Sequence, residues 1–163
     1  LVPGTIFDAY RAAEGATSDG FELELVGAVT QDWVISASYT QFKAEDENNQ
    51  QVNTDQPRKM FKLFTTYGLS GALADLTVGG GINWEDANYT AAINPVTGAM
   101  EDLKQDDYSL VNLMARYDFT PQLSAQVNVS NLLDETYYSQ IGFYSQLAFG
   151  MPRNVSAELR YQF

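Results

Sequence analysis

The chain has 163 residues and a formal net charge of −12, with nine Lys and Arg together, too few for the phosphate neutralisation that nucleic-acid binding needs. Cys and His are both absent, which removes disulfides, thiolate chemistry, imidazole metal sites and His-based triads. No stretch approaches the roughly 18 consecutive apolar residues of a membrane-crossing helix, and no basic segment followed by an apolar run marks a signal peptide, so a chain opening on Leu1-Val2-Pro3-Gly4 reads as an excised or processed piece.

What remains is a chain rich in aromatics, with ten Tyr, nine Phe and two Trp, arranged in segments of period two. Seven strands are predicted, near 20–29, 33–43, 58–69, 75–88, 107–119, 122–137 and 152–163. In the first, Phe21, Leu23 and Leu25 face away from Glu22 and Glu24. In the second, Trp33, Ile35, Ala37 and Tyr39 face away from Val34, Ser36, Ser38 and Thr40. Phe61, Leu63, Thr65, Tyr67 and Leu69 then oppose Met60, Lys62, Phe64 and Thr66, before a turn that includes Ser70-Gly71-Ala72. Leu76, Val78, Gly80, Ile82 and Trp84 alternate with Thr77, Gly79, Gly81, Asn83 and Glu85. The Gly79-Gly80-Gly81 run is no phosphate loop, because no Lys-Ser/Thr follows it; it relieves crowding in a strand. Val111, Leu113, Ala115, Tyr117 and Phe119 share one face, and after Thr120-Pro121-Gln122 the residues Leu123, Ala125, Val127 and Val129 continue it, which makes a hairpin. The last strand alternates without a fault: Val155, Ala157, Leu159, Tyr161 and Phe163 on one side, Ser156, Glu158, Arg160 and Gln162 on the other.

The connections alternate as the side chains do. Links near 30–32, 70–74 and 120–121 are tight, while those near 44–57, 89–106 and 138–151 are long. Sorted onto two rims, such links suit an outer-membrane barrel with short periplasmic turns and long extracellular loops better than a soluble all-β domain. Aromatics gather at strand ends, with Trp33, Tyr67, Tyr117, Phe119, Tyr161 and Phe163 towards the short turns. Tyr39, Trp84, Tyr89, Tyr137 and Tyr138 lie towards the long loops, so two girdles at the headgroup levels are expected. The predicted fold is all-β: an antiparallel up-and-down transmembrane β-barrel segment in the bacterial outer membrane, its polar face carrying Glu22, Glu24, Lys62, Arg116, Glu158 and Arg160 towards a lumen.

Four segments carry a resemblance: Gly20-Phe21-Glu22-Leu23-Glu24-Leu25-Val26-Gly27; Leu110-Val111-Asn112-Leu113-Met114-Ala115-Arg116-Tyr117; Asn131-Leu132-Leu133-Asp134-Glu135-Thr136-Tyr137-Tyr138; and Pro152-Arg153-Asn154 with the terminal aromatic strand. In order and spacing, from about Gly20 to Phe163, the chain resembles the C-terminal end of TonB-dependent siderophore receptors. The resemblance implies a barrel of about 22 strands plugged by an N-terminal domain. Residues 1–163 would be the C-terminal part of that barrel, with no plug and no TonB box. It implies uptake of ferric siderophores driven by TonB, with iron arriving already wrapped by its carrier and no cofactor required. The implied partners are the ferric siderophore, TonB, outer-membrane lipid and the barrel assembly machinery. A passive porin or a structural or adhesive barrel remains the alternative, because its wall would look the same.

Candidate sites follow from placement. Phe143, Tyr144 and Phe149, in the last long loop, are candidate siderophore contacts, since aromatic faces give broad apolar contact and Tyr adds a hydrogen bond. Glu45-Asp46-Glu47 and Asp106-Asp107 carry oxygen ligands suited to a hard cation, or are solvated loop charge. No nucleophile and base suggest an enzyme. Seven strands leave two edges open, near 20–29 and 152–163, which the remaining barrel or residues 5–14 as an eighth strand would have to cover. Tyr161 and Phe163 are the expected assembly signal, an aromatic end that the assembly machinery reads. Deleting Phe163 from the full-length receptor is expected to lower surface abundance while the protein that does reach the membrane keeps its ligand affinity, as quantified by surface labelling and binding on intact cells.

Overall fold

The computed structural model describes residues 15–94, 96–142 and 147–163. Seven strands form one antiparallel sheet: β1 (Thr17–Ala28), β2 (Trp33–Glu45), β3 (Lys59–Gly68), β4 (Leu76–Glu85), β7 (Tyr108–Asp118), β8 (Leu123–Ser130) and β11 (Asn154–Tyr161). Each pairs with its neighbour in that order, so the sheet is an up-and-down meander. Two further hairpins, β5 (Asn88–Ile93) with β6 (Met100–Gln105) and β9 (Tyr138–Ile141) with β10 (Leu147–Phe149), stand in the connections after β4 and β8. The eighth strand anticipated at residues 5–14 lies outside the described residues.

The register turns alternation within strands into continuous rows across them. Gly27, Ile35, Thr65, Gly80, Leu113, Val129 and Val155 are successive cross-strand partners, one from each of the seven strands. Leu25, Ala37, Leu63, Ile82 and Val111 form a second row on the same face. On the other face Val34, Thr66, Gly79, Met114, Asn128 and Ser156 are aligned, and beside them Arg116, Gln126 and Glu158. A slip of one residue in any pair would exchange the faces, so this agreement over seven strands is what one oily and one wet side require.

Among the described residues no core lies between layers. Among the described residues the only buried hydrophobic side chains are Ala44 and Ile141, whereas Phe21, Leu25 and Leu159 are 56%, 62% and 72% exposed. A soluble domain of about 150 residues buries roughly two thirds of its surface. A single sheet with an uncovered apolar face meets that requirement only with lipid against it.

Two aromatic rows bound the apolar face. Trp33 is opposite Tyr67 near the short turns, with Tyr117–Phe119 and Tyr161–Phe163 ring pairs 5.0 and 5.1 Å apart at the same rim. Tyr39, Phe61 and Trp84 are partners in a row towards the long loops. From Trp33 to Tyr39 is roughly 20 Å along the strand at about 3.3 Å per residue, the scale of the apolar band of an outer-membrane barrel, about 25 Å tall. Tyr89, Tyr137 and Tyr138, expected in the second girdle, sit instead in the hairpins and their approaches, because the strands stop earlier than the alternation does.

Turn chemistry explains where strands stop. Val29 N–H and Phe119 N–H close the tight hairpins on the carbonyls of Trp33 and Leu123, at 2.7 and 2.9 Å. A 3₁₀ turn at Gly71–Leu73 joins β3 to β4, with Gly71 at φ 66°. The strand expected to run to residue 88 ends at Glu85, and the one expected to run to 137 ends at Ser130, where Asn131 adopts φ 51°. The glycine run lies in β4 as expected of a strand: a Cβ on Gly81 would fall 2.4 Å from the Leu63 carbonyl oxygen and 2.8 Å from the Phe64 ring, and one on Gly79 2.9 Å from Met114 Cγ. The glycines therefore make room for large side chains of the flanking strands on the wet face.

Leu159 lies on the apolar face and Ser156 on the polar one. In a bilayer folding assay on the full-length protein, Leu159→Arg is expected to destabilise by about 2–4 kcal/mol near mid-depth, and Ser156→Arg by much less. Equal tolerance of the two would reverse the assignment of faces.

Candidate ligand site at the long-loop rim

All three long connections leave from the same end of the sheet, and together they enclose a cleft of about 290 Å³. Its floor is the wet face of the strand ends: Phe42 on β2, Met60 on β3 and Glu85 on β4. Asp55, Gln56 and Pro57 from the β2–β3 connection, Asn88 at the start of β5, and Tyr138–Ile141 of β9 form the walls. Carboxylates, amides and two hydroxyls thus surround the apolar side chains of Phe42 and Met60, on the face that the register assigns to the lumen.

Each connection is shaped by a polar side chain that replaces strand pairing. Asp46 Oδ1 accepts the N–H groups of Asn48 and Gln50, both at 2.9 Å, with Asn49 at φ 57°. Arg58 lies over the Phe42 ring, 5.0 Å from its centroid, and donates through Nη2 to the Val52 carbonyl, which draws the β2–β3 connection down to the floor. Asn88 donates from Nδ2 to the Asp55 carbonyl at 3.1 Å and so ties the first connection to the second. Gln105 Oε1 accepts the Tyr138 N–H at 2.7 Å and ties the second to the third.

The third connection is anchored by Asn131, only 3% exposed. Its Nδ2 donates to the carbonyls of Glu135 and Met151, at 2.8 and 3.1 Å, its Oδ1 accepts the Glu135 N–H at 2.9 Å, and its own N–H donates to Asn112 Oδ1 at 3.1 Å. Asp134, also in the left-handed region at φ 58°, accepts the Arg153 N–H at 2.9 Å and pairs with that guanidinium at 3.7 Å. Asn and Asp tolerate this backbone conformation better than other residues with side chains. The Asn-Leu-Leu-Asp segment and Pro152-Arg153-Asn154 are therefore two halves of one clasp, joining the end of β8 to the start of β11.

Tyr108, at the loop-side end of β7 and beyond the Trp84 row, donates to Glu85 Oε2 at 2.9 Å. Burial, and then the neighbouring Glu85 carboxylate, push the Tyr108 phenol well above its ordinary range. Its ring stacks on Tyr137 at 4.5 Å. Neither residue stood out in the sequence, because Glu85 and Tyr108 meet only through the β4–β7 register, across the β5–β6 excursion.

Of the candidate contacts, Phe143 and Tyr144 lie outside the described residues. Phe149 is on β10, 69% exposed, its ring 4.9 Å from that of Tyr138, a cleft residue. The acidic loop residues have local work: Glu45 pairs with Lys43 at 3.1 Å, Asp46 caps its turn, and Asp107 accepts from Trp84 Nε1 at 3.2 Å. On the wet face Arg116 is held by Asp118 of its own strand at 2.6 Å, with Arg160 lining the same recess near the short turns. Tyr161 ends β11, its ring edge-on to Phe163 at the opposite rim from the cleft.

The family description TonB dependent receptor-like, beta-barrel matches residues 2–132. The ferripyoverdine receptor of Pseudomonas aeruginosa is 40% identical over 95% of this chain and 19% of its own length, and the ferric-pyoverdine BN7/BN8 receptor of Pseudomonas putida 41% identical over 96% and 18%. A solved structure of the outer-membrane ferripyoverdine receptor of Pseudomonas aeruginosa, bound to ferripyoverdine, matches with a TM-score of 0.86 at 40% identity, over 91% of this chain and 20% of that one. The alcaligin outer-membrane receptor of Bordetella pertussis matches with a TM-score of 0.62 at 38% identity, again over 91% and 20%. The chain thus spans about a fifth of the length of these relatives. Seven paired strands with one apolar face, long loops on one rim and this match to the family together place it: the chain belongs to the TonB-dependent receptors, as a segment of their outer-membrane β-barrel.

Proposed function

We propose that the protein to which this chain belongs is an outer-membrane receptor for TonB-dependent uptake of ferric siderophores, the chain supplying the last strands of its barrel and their extracellular loops. The observation that carries this reading is the match, over nearly the whole chain and including the long-loop rim, to ferripyoverdine receptors at 40–41% identity. Such a match favours a receptor over a passive porin, whose loops would have no reason to follow those of siderophore receptors.

The division of labour follows from the two faces and the two rims. Lipid covers the apolar rows and holds the sheet in place. The long-loop rim meets the ligand first, with Phe149 beside the cleft and Phe143 and Tyr144 in the same connection. Iron is cargo here and keeps the oxygen ligands of its carrier, so the chain recognises the organic surface of the chelate and has no catalytic step to perform. A plug and the contact with TonB belong to the part of the receptor outside these residues.

Ferripyoverdine is the first ligand to test. Replacing Phe143, Tyr144 and Phe149 together by Ala in the full receptor removes aromatic contacts of about 0.5–1 kcal/mol each, so affinity is expected to fall about tenfold to a hundredfold at unchanged surface abundance. Leu73→Ala, in the opposite rim, is expected to leave affinity unchanged. Uptake of labelled ferric siderophore that persists when TonB is deleted would favour the porin, and parental affinity in the triple variant would remove these loop residues from the site.

A further inference from the structure

The connection from β8 to β11 carries the β9–β10 hairpin, and beyond the Asn131 clasp the base of that hairpin holds the ring of Tyr137. Gly150 N–H donates to the Tyr137 carbonyl at 2.8 Å, closing the base of the β9–β10 hairpin. The tip of the Tyr137 ring occupies the space that any side chain at residue 150 would need: a Cβ there would stand 2.0 Å from Cζ and 2.3 and 2.4 Å from the two Cε atoms. The same ring stacks on Tyr108 at 4.5 Å, and Tyr108 donates to Glu85 in the cleft floor. The next residue, Tyr138, is the first of β9, lines the cleft, and is fixed through its N–H to Gln105.

We propose that Tyr137 is a positioning residue for ligand capture: seated against Gly150 and stacked on Tyr108, it sets where β9 lies across the cleft without itself lining it. This rests on the reading of the cleft as part of the ligand site. A ring can keep β9 in place only if it cannot move away, and here its tip is bounded by backbone and its face by another aromatic. A methyl group on residue 150 therefore has one outlet, which is to push the ring off Tyr108 and carry the adjoining Tyr138 with it. The tyrosine hydroxyl has no part in this, so Tyr137→Phe preserves the device.

The test uses the full receptor. Nitroxide labels at residue 140, on β9, and residue 73, in the opposite rim, report the placement of β9 by pulsed electron resonance without any ligand. Ferripyoverdine affinity is measured in parallel on unlabelled protein at matched surface abundance. Gly150→Ala is expected to shift or broaden the distance distribution and to weaken binding about tenfold or more, whereas Tyr137→Phe leaves both at parental values. Tyr137→Leu is expected to do part of what Gly150→Ala does, and adding Gly150→Ala to Tyr137→Leu is expected to change nothing further, since the colliding ring is gone. A distance distribution unmoved by Gly150→Ala, or losses that simply add in the double variant, would overturn the proposal; a moved β9 with parental affinity would overturn its link to capture. Should the parental receptor bind no ferric siderophore, the proposed function fails, and the distances alone still decide whether Tyr137 holds β9.

Discussion

In hydrocarbon a backbone amide has no water to bond, and every unpaired N–H or carbonyl there costs several kcal/mol. Side-by-side pairing of strands is the response seen here. The seven strands pair in sequence order, and among the described residues β1 and β11 are left as the two edges. Once pairing is compulsory, register decides which side chains meet lipid. The row from Gly27 to Val155 shows that the period of two within each strand and the offsets between strands agree. Gly79 and Gly81 belong to the same logic, giving up side chains so that Phe64 and Met114 fit on the wet face without spreading the ladder.

Beyond the aromatic rows the constraint lifts, and the chain changes its chemistry at once. Water is available, so turns need not pair every amide, and side chains take over from the ladder. Asn131 and Asp134 enter the left-handed region and fold the end of β8 back onto the approach to β11; Asp46 does similar work after β2. Cross-links between connections, from Asn88 to Asp55 and from Gln105 to Tyr138, then join three separate excursions into one wall. Each such bond is worth only about 0.5–1.5 kcal/mol. Their value lies in fixing relative positions, which a binding site needs more than it needs stability.

This difference explains what could be read from the sequence. All seven wall strands were legible, with faces assigned correctly, because lipid enforces a strict alternation and residues such as Phe21, Leu23 and Leu25 against Glu22 and Glu24 record it locally. Strand ends were not, since Trp84, Tyr89, Tyr137 and Tyr138 look alike as aromatics near a rim while only Trp84 belongs to the row. The hairpins β5–β6 and β9–β10 were read as loops because they alternate weakly and lie outside the lipid, where nothing compels a pattern. The cleft was invisible for a further reason: Phe42, Met60, Glu85, Asn88 and Tyr138 come from four separate parts of the chain and meet only after the register is set. Asn131 was singled out through a family resemblance, and the structure supplies its physical reason.

A wall that is fixed by pairing and a rim that is fixed by side chains can change independently. Substitutions in the loops leave the apolar rows untouched, so a receptor can alter what it captures without endangering its insertion in the membrane. The clasp at Asn131 and the ring of Tyr137 stand at the junction of the two regimes, anchored to strand ends on one side and carrying a hairpin that lines the cleft on the other. Residues in that position gain little from contact with any one ligand. Their constraint comes from geometry, because an error of a few ångströms where β9 leaves the wall displaces everything the hairpin presents beyond it.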